Sequence, residues 1–392
     1  MVSVLSLTRK TLQMLRARAL GLAALSALGL AACDPVAQGP GVSRGGAVQV
    51  ALLVPAGSGQ ASDEFLARSL ENAARLAMGD LNGVEIDLRV YPTAGQAAQA
   101  ATAATQAVSE GADIILGPVF AQEANAAGNA VAASGLNVLS FSNNSAIAGG
   151  NVFVLGTTFP NVANRLSRHA VRQGRGSIMV VHDRTPAGEV GRAAIESSVA
   201  AASGSLVGVM GYEFSQNGLV QAAPTIAEAA KTNGANALFL TADTAGSLPL
   251  LTQLLRENGL TPAAIQFMGL TRWDIPAATL ALPGVQGGWF ALPDPNLYDQ
   301  YVARYNAAYG TAPHPVAGLA YDGIAAIGAL ARQGSGYSSA ALTQGSGFAG
   351  VSGVFRLLAN GSNERGLAIA EIRNNQVVIV DPAPRSFAGA GF

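Results

Sequence analysis

The chain has 392 residues, enough for two or three domains. Charged residues make up only 12%, and 47 glycines with 18 prolines stay below the composition at which disorder wins, so a large core is expected. Outside the first 32 residues, 19 basic face 24 acidic side chains; that mildly acidic body excludes nucleic acid as a partner, and a single cysteine excludes disulfides and thiol-rich metal sites.

The N-terminus reads as an address. Arg9, Lys10, Arg16 and Arg18 precede fourteen apolar or small residues, Ala19 to Ala32, a run too short to span a bilayer and suited to the apolar region of a secretory signal. It ends in Leu30-Ala31-Ala32-Cys33, which looks like a bacterial lipobox, with Cys33 as the lipid attachment site. Met14 offers a more compact start than Met1. Residues 1–32 are thus expected to be a signal peptide and 33–46 a lipidated cysteine with a flexible tether. The mature chain would be anchored to a membrane by lipid alone, in the periplasm, on the inner or the outer membrane.

From Val48, apolar runs rich in Val, Ile and Phe alternate with Ala-rich helical stretches. Strands are expected at Val48–Pro55, Val84–Tyr91, Asp113–Gly117, Asn137–Ser142, Ser177–His182, Leu206–Tyr212, Ala237–Thr241, Ile265–Met268 and Gly288–Leu292. Helices fall between and after them, near 62–81, 95–110, 120–134, 161–173, 187–202, 221–233, 246–258, 295–309 and 315–332. Thr185 before Pro186 and Asp294 before Pro295 are helix-start signals. Continuous apolar strands separated by helices predict parallel sheets covered on both faces, hence an α/β fold. Gly353–Leu358, Leu367–Arg373 and Gln376–Val380, joined by Asn360-Gly361 and Asn374-Asn375, read as closing antiparallel hairpins, and residues 382–392 as a loose tail.

This layout resembles the type I periplasmic binding proteins of the leucine-binding group. The matching pieces are Leu53 to Gly59 after the first strand, Asp80-Leu81-Asn82-Gly83, Ile115-Leu116-Gly117-Pro118, Leu139 to Asn143, and Pro315 to Ile327 with Tyr321-Asp322. The resemblance implies two doubly wound parallel-sheet lobes joined by three crossovers. Lobe one would take 47–157 and 286–333, and lobe two 158–285 and 345–381. A lipid-anchored subgroup, the penicillin-binding-protein activators, is also similar at Gly117-Pro118, Gly150 to Phe153, Arg172-Gln173-Gly174 and Ala242-Asp243 followed by Leu248–Leu255.

Motifs for chemistry are missing. The one G-x-S-x-G match, Gly41 to Gly45, falls in the tether and not on a strand-to-helix turn, no H-E-x-x-H or P-loop occurs, and His169, His182 and His314 are scattered. Gly345 to Gly350 matches G-x-G-x-x-G but follows a helix and precedes a strand, the wrong context for a dinucleotide. No enzyme, catalytic residue, cofactor or metal is expected.

Parallel α/β sheets bind ligands beyond the carboxyl ends of their strands. That rule selects Ser58, Phe120, Gln122, Ser140, Ser142 and Asn143 in lobe one, and His182, Asp183, Thr241, Asp243, Arg272 and Trp273 in lobe two. Hydroxyls and amides on one lobe suit a carboxylate and an acid on the other suits an ammonium, as for a zwitterionic amino acid. Each has a plainer reading. Ser140, Ser142 and Asn143 fit turns, Asp243 fits a helix cap, and Asp183 fits an ion pair with Arg184 or Arg192. Trp273 fits a cation–π contact with Arg272, and Trp289 fits packing near a crossover. Tyr321 matches a family position that closes over the ligand and equally fits a core. Few aromatics fall near the expected cleft, Phe120 and Tyr321 being the best available.

Two functions stay open. One is a receptor that captures a small polar solute, an amino acid or amide-like molecule, for an inner-membrane ABC permease. The other is a regulator on the same fold that activates a penicillin-binding protein in peptidoglycan synthesis.

Overall fold

A computed structural model of the chain describes residues 46–387. The signal segment, Cys33, the tether as far as residue 45 and residues 388–392 lie outside the described residues.

The first sheet is built from β1 (Val48–Val54), β2 (Ile86–Pro92), β3 (Ile114–Leu116), β4 (Val138–Ser140) and β5 (Val152–Val154), all parallel, in the order β2-β1-β3-β4-β5. Strands β3 and β4 are fully buried and β1 is buried from Val50 to Val54, which is why they read as apolar runs. Helices α1 (Ala61–Gly79), α2 (Ala97–Ser109) and α3 (Ala121–Val131) alternate with them. Leu66, Leu70, Ala73, Ala74 and Ala77 form the buried stripe of α1 at helical spacing, and Asp63 and Glu64 complement the helix dipole in its first turn.

The second sheet has seven strands. Parallel β6 (Ser177–Asp183), β7 (Ser205–Tyr212), β8 (Ala237–Leu240), β9 (Gln266–Gly269) and β10 (Trp289–Leu292) are extended by antiparallel β14 (Ala368–Arg373) and β15 (Gln376–Asp381), in the order β15-β14-β10-β9-β8-β6-β7. Helices α4 (Phe159–Arg172), α5 (Pro186–Ala201), α6 (Gln216–Thr232) and α7 (Leu248–Glu257) accompany it. Thr158 and Asn161 close a reciprocal capping box on α4, and Thr185 caps α5 by accepting from Gly188 N. Helix α6 begins five residues before the sequence suggests, because Ser215 caps it at Gly218 N while Pro224 sits on its exposed face.

Helices α8 (Pro295–Tyr309), capped by Asp294, and α9 (Gly318–Gln333) return to lobe one and pack against α1. The short α10 (Ser339–Leu342) leads through Gly345–Gly350 into β11 (Phe348–Gly350), which forms a small antiparallel sheet with β12 (Gly353–Leu357) and β13 (Asn363–Arg365). The two expected turns are in place. Asn360-Gly361 lies between β12 and β13, and Asn374 and Asn375, both at positive φ, form the two-residue turn between β14 and β15.

The lobe limits differ from those expected. Strand β10 hydrogen-bonds β9 and β14, so the second crossover is at Pro293-Asp294 and not at 286. Residues 345–365 belong with lobe one, because Phe348, Phe355 and Leu357 join its core. Both differences have one cause: a short apolar strand shows its burial in the sequence, not the sheet it joins. The chain therefore passes between lobes at Leu155–Thr158, Pro293-Asp294 and Gly366-Leu367. The tail is also placed as far as Phe387, with Ala383 in the core of lobe two.

Buried side chains tie two of the crossovers together. Asn363 Nδ2 donates to Val154 O at 2.6 Å and Gly156 O at 2.9 Å. Arg365 Nε donates to Leu155 O at 2.7 Å while its Nη1 pairs with Asp322 of α9 at 3.0 Å, both side chains essentially inaccessible to water. From lobe two, Arg165 Nε donates to Leu367 O at 2.7 Å and Asn161 Nδ2 to Asn363 O at 2.8 Å.

Candidate functional site

The carboxyl ends of the parallel strands in both lobes open onto a common cleft of about 670 Å³, within the range of small-molecule sites. Loops after β3 and β4 supply Phe120, Phe141, Ser142, Asn143 and Asn144. The first crossover supplies Gly156 and Thr157, and lobe two supplies Phe159, Leu270, Thr271, Arg272 and Ile275. Tyr298 of α8, with Val316 and Leu319 before and on α9, closes one side.

Local backbone geometry explains this wall. Gly117 follows β3 at φ +89°, and a Cβ there would lie 2.3 Å from Leu53 O, so only glycine lets the chain turn toward the cleft beside β1. Ser140 is buried beneath the next loop, where its Oγ donates to Pro118 O at 2.9 Å and accepts from Ser142 N at 3.1 Å. Ser142 Oγ in turn accepts from Asn144 N at 3.1 Å. The loop is thus a chain of side-chain-stabilised turns that presents Asn143 and Asn144 to the cleft.

The walls are chiefly apolar, and Arg272 is the only charged side chain among the lining residues. Asp274 holds its guanidinium by two contacts, one of 2.8 Å to Oδ1 and a second to Oδ2. Burial pushes the Tyr298 hydroxyl above its ordinary value, with Arg272 offsetting part of the rise, so it is a neutral group at pH 7.

Of the residues chosen from the sequence, Phe120, Ser142, Asn143 and Arg272 meet in this cleft. The others are not among its lining residues. Ser58 accepts from Gln60 N in the turn before α1, and Gln122 points to solvent from α3. Asp183 is buried in a network with the Thr185 hydroxyl and Thr241 Oγ1, while its expected partners Arg184 and Arg192 pair with Glu213 and with Glu189 and Glu196. Asp243 is exposed and does not cap α7, whose cap residue is Ser247. Tyr321 faces α1, where its hydroxyl bonds Asp80 and its ring meets Tyr301 edge-on at 6.0 Å. Trp273 is wholly buried and fits against Gly269 and Gly288, where Cβ atoms would lie 2.1 and 2.2 Å from its ring system.

Sequence reasoning missed Phe141, Phe159 and Tyr298. With Phe120 they give the cleft an aromatic lining that the sparse composition concealed. The signal was available: Phe141 follows the fourth strand directly, and Phe159 opens the helix after the first crossover.

A second depression of about 730 Å³ lies on α7 and the following loops, around Leu250, Arg256 and Pro283. Lobe two alone forms it, so lobe movement cannot enclose a ligand there. Among the described residues no cluster of His, Cys, Asp or Glu is arranged to hold a metal, and no helix is long and apolar enough to cross a membrane.

Residues 47–376 match the family model described as periplasmic binding protein. The chain belongs to the periplasmic binding protein family. Its fold is the type I form of the leucine-binding group: two parallel α/β lobes, three crossovers and a C-terminal antiparallel extension. A search of curated proteins finds no match. Among solved structures, a branched-chain amino acid ABC transporter protein from Rhodospirillum rubrum is similar with TM-score 0.72 and 19% identity, covering 85% of this chain and 100% of that one. An ABC transporter substrate-binding protein from Desulfitobacterium hafniense, solved in complex with Leu, is similar with TM-score 0.64 and 15% identity over 86% and 100% of the two chains. A solute-binding protein from Rhodopseudomonas palustris, in complex with 3,4-dihydroxybenzoic acid, is similar with TM-score 0.57 and 17% identity over 86% and 98%. The family places the protein among periplasmic solute-binding proteins.

Proposed function

We propose that the protein is a lipid-anchored receptor that captures a small, largely apolar molecule with a polar or carboxylate head and delivers it to an inner-membrane ABC permease. The observation that carries this reading is the cleft itself: about 670 Å³, open to both lobes and walled by their strand ends. Four aromatic residues with Leu270, Ile275 and Leu319 suit an apolar body. Asn143, Asn144 and Arg272 suit the head, whereas no lining carboxylate answers an ammonium. The sequence argument for a zwitterion rested on Asp183 and Asp243, and both are outside the lining. Similar structures with bound Leu and 3,4-dihydroxybenzoic acid are in keeping with a ligand of this size. Attachment at Cys33 follows from the lipobox-like segment.

Thermal melts of the protein against leucine, other apolar amino acids, benzoate and 3,4-dihydroxybenzoate test the reading. A ligand at a hundred times its Kd stabilises by about 2.7 kcal/mol, and aromatic or branched carboxylates should give the largest shifts. No shift with any member of the panel would refute a solute site of this class.

A further inference from the structure

The segment after β15 makes one more passage between the lobes. Asp381, the last residue of β15, is gripped within lobe two by Arg165 Nη1 at 2.9 Å, His169 Nδ1 at 2.9 Å and Arg172 Nη2 at 2.7 Å. Arg165 also donates to Pro382 O at 3.1 Å, and Ala383 packs into the core of lobe two. Beyond it the chain turns back. Pro384 O presses against the third crossover, where a Cβ on Gly366 would lie 2.8 Å from it. The Phe387 ring then lies under the guanidinium of Arg356 on β12, 4.6 Å from the ring centroid, in lobe one. Gly347 leaves the space that ring occupies, since a Cβ there would lie 2.7 Å from Phe387 Cε2.

We propose that residues 382–387 are a strap that holds the two lobes at the separation seen here. Its lobe-two end is fixed by two arginines and a histidine and its lobe-one end by an aromatic clasp that can open. The four Cα steps from Ala383 to Phe387 reach at most about 14 Å, which limits how far β12 and the lobe-two anchor can part while Phe387 stays on Arg356. The three crossovers are continuous backbone and swivel at a few dihedrals, whereas the strap adds a reversible restraint on that swivel. A half-buried cation–π contact weights two conformations by at least roughly two- to fivefold, enough to bias an opening equilibrium. The proposal stands on the two-lobe fold and does not depend on what the cleft binds.

Spin labels at Asn129 on α3 and Glu228 on α6, both exposed and on different lobes, report the separation in the full chain carrying Cys33→Ser. Double electron–electron resonance without ligand should give one narrow distance population for the parent. Phe387→Ala should raise the population at longer distances about two- to fivefold, and Phe387→Tyr, which keeps a ring under Arg356, should restore the parent distribution. Circular dichroism monitors folding. Should Phe387→Ala disturb the small sheet, Arg356→Gln, which keeps the ring, carries the same expectation. An unchanged distribution in a folded variant, or equal broadening by Phe387→Tyr, overturns the strap. Because no ligand is present, that result leaves the receptor reading untouched.

Discussion

Replacing Arg365 with Met removes one half of a charge pair that is almost free of solvent, with Arg365 and Asp322 side chains 1% and 0% exposed. The Asp322 carboxylate would be left buried with only Ser352 N, at 3.3 Å, as a hydrogen-bond partner, and Leu155 O would lose its 2.7 Å donor. An uncompensated buried charge costs about 3–5 kcal/mol. With an unfolding entropy near 2.1 cal/mol/K per residue over roughly 350 residues, that cost lowers Tm by about 4–7 °C. Asp322→Leu should cost a similar amount by stranding the guanidinium. The double variant should cost less than the sum, by about 2 kcal/mol or more, because neither charge remains to be stranded. Thermal and urea melts followed by circular dichroism measure all three. Additive losses would show that Arg365 and Asp322 do not act as a pair, and would remove the account of how crossover one is held against β13.

Stability should also fall as the solution is acidified from pH 7.5 to 5. Burial holds His169 below its ordinary value, with Asp381 offsetting part of the effect, and His314 is lowered by burial as well. The unfolded chain therefore takes up these protons first, and stability present above about pH 6.5 is lost as the pH drops. His169→Gln should flatten that slope, His314 supplying what remains; an unaltered slope would contradict the assignment. At the cleft, Arg272→Ala should weaken binding of a carboxylate ligand about tenfold or more by removing a charge-assisted donor. Asp243→Ala, outside the lining, should leave the Kd unchanged, and a loss of affinity there would relocate the site.

Much of the fold is legible in the sequence because parallel strands buried on both faces show as unbroken apolar runs, and Thr185, Asp294 and the Asn-Asn turn mark element ends by local chemistry. Strand β10 shows where that reading stops. Trp289 to Leu292 reads as a buried strand in either lobe, and only its pairing with β9 and β14 assigns it. The site divides in the same way. Ser142, Asn143 and Phe120 are found by the rule that ligands sit beyond strand ends. Asp183 and Asp243 obey the same rule but miss the cleft lining, Asp183 through hydrogen bonds to threonines and Asp243 through its exposed place beyond β8. Trp273 looks like a recognition residue beside Arg272, yet Gly269 and Gly288 make a recess that buries it. Gly269 is only four positions before the tryptophan, but Gly288 is fifteen after it, and local pattern gives no hint that the two meet around one ring. The shortage of aromatics near the expected cleft disappears once Phe141, Phe159 and Tyr298 converge from three separate segments. Phe387 likewise reads as part of a loose tail until its contact with Arg356, thirty-one positions earlier, is seen.

The central claim is that the cleft between the lobes takes the solute. Isothermal titration of the best ligand from the panel, into the parent and into a Thr157→Trp variant whose indole would occupy the space beside the first crossover, tests it most directly. The account predicts one site per chain in the parent and no measurable heat of binding in the folded variant. Equal affinity in both would place the ligand elsewhere and contradict it.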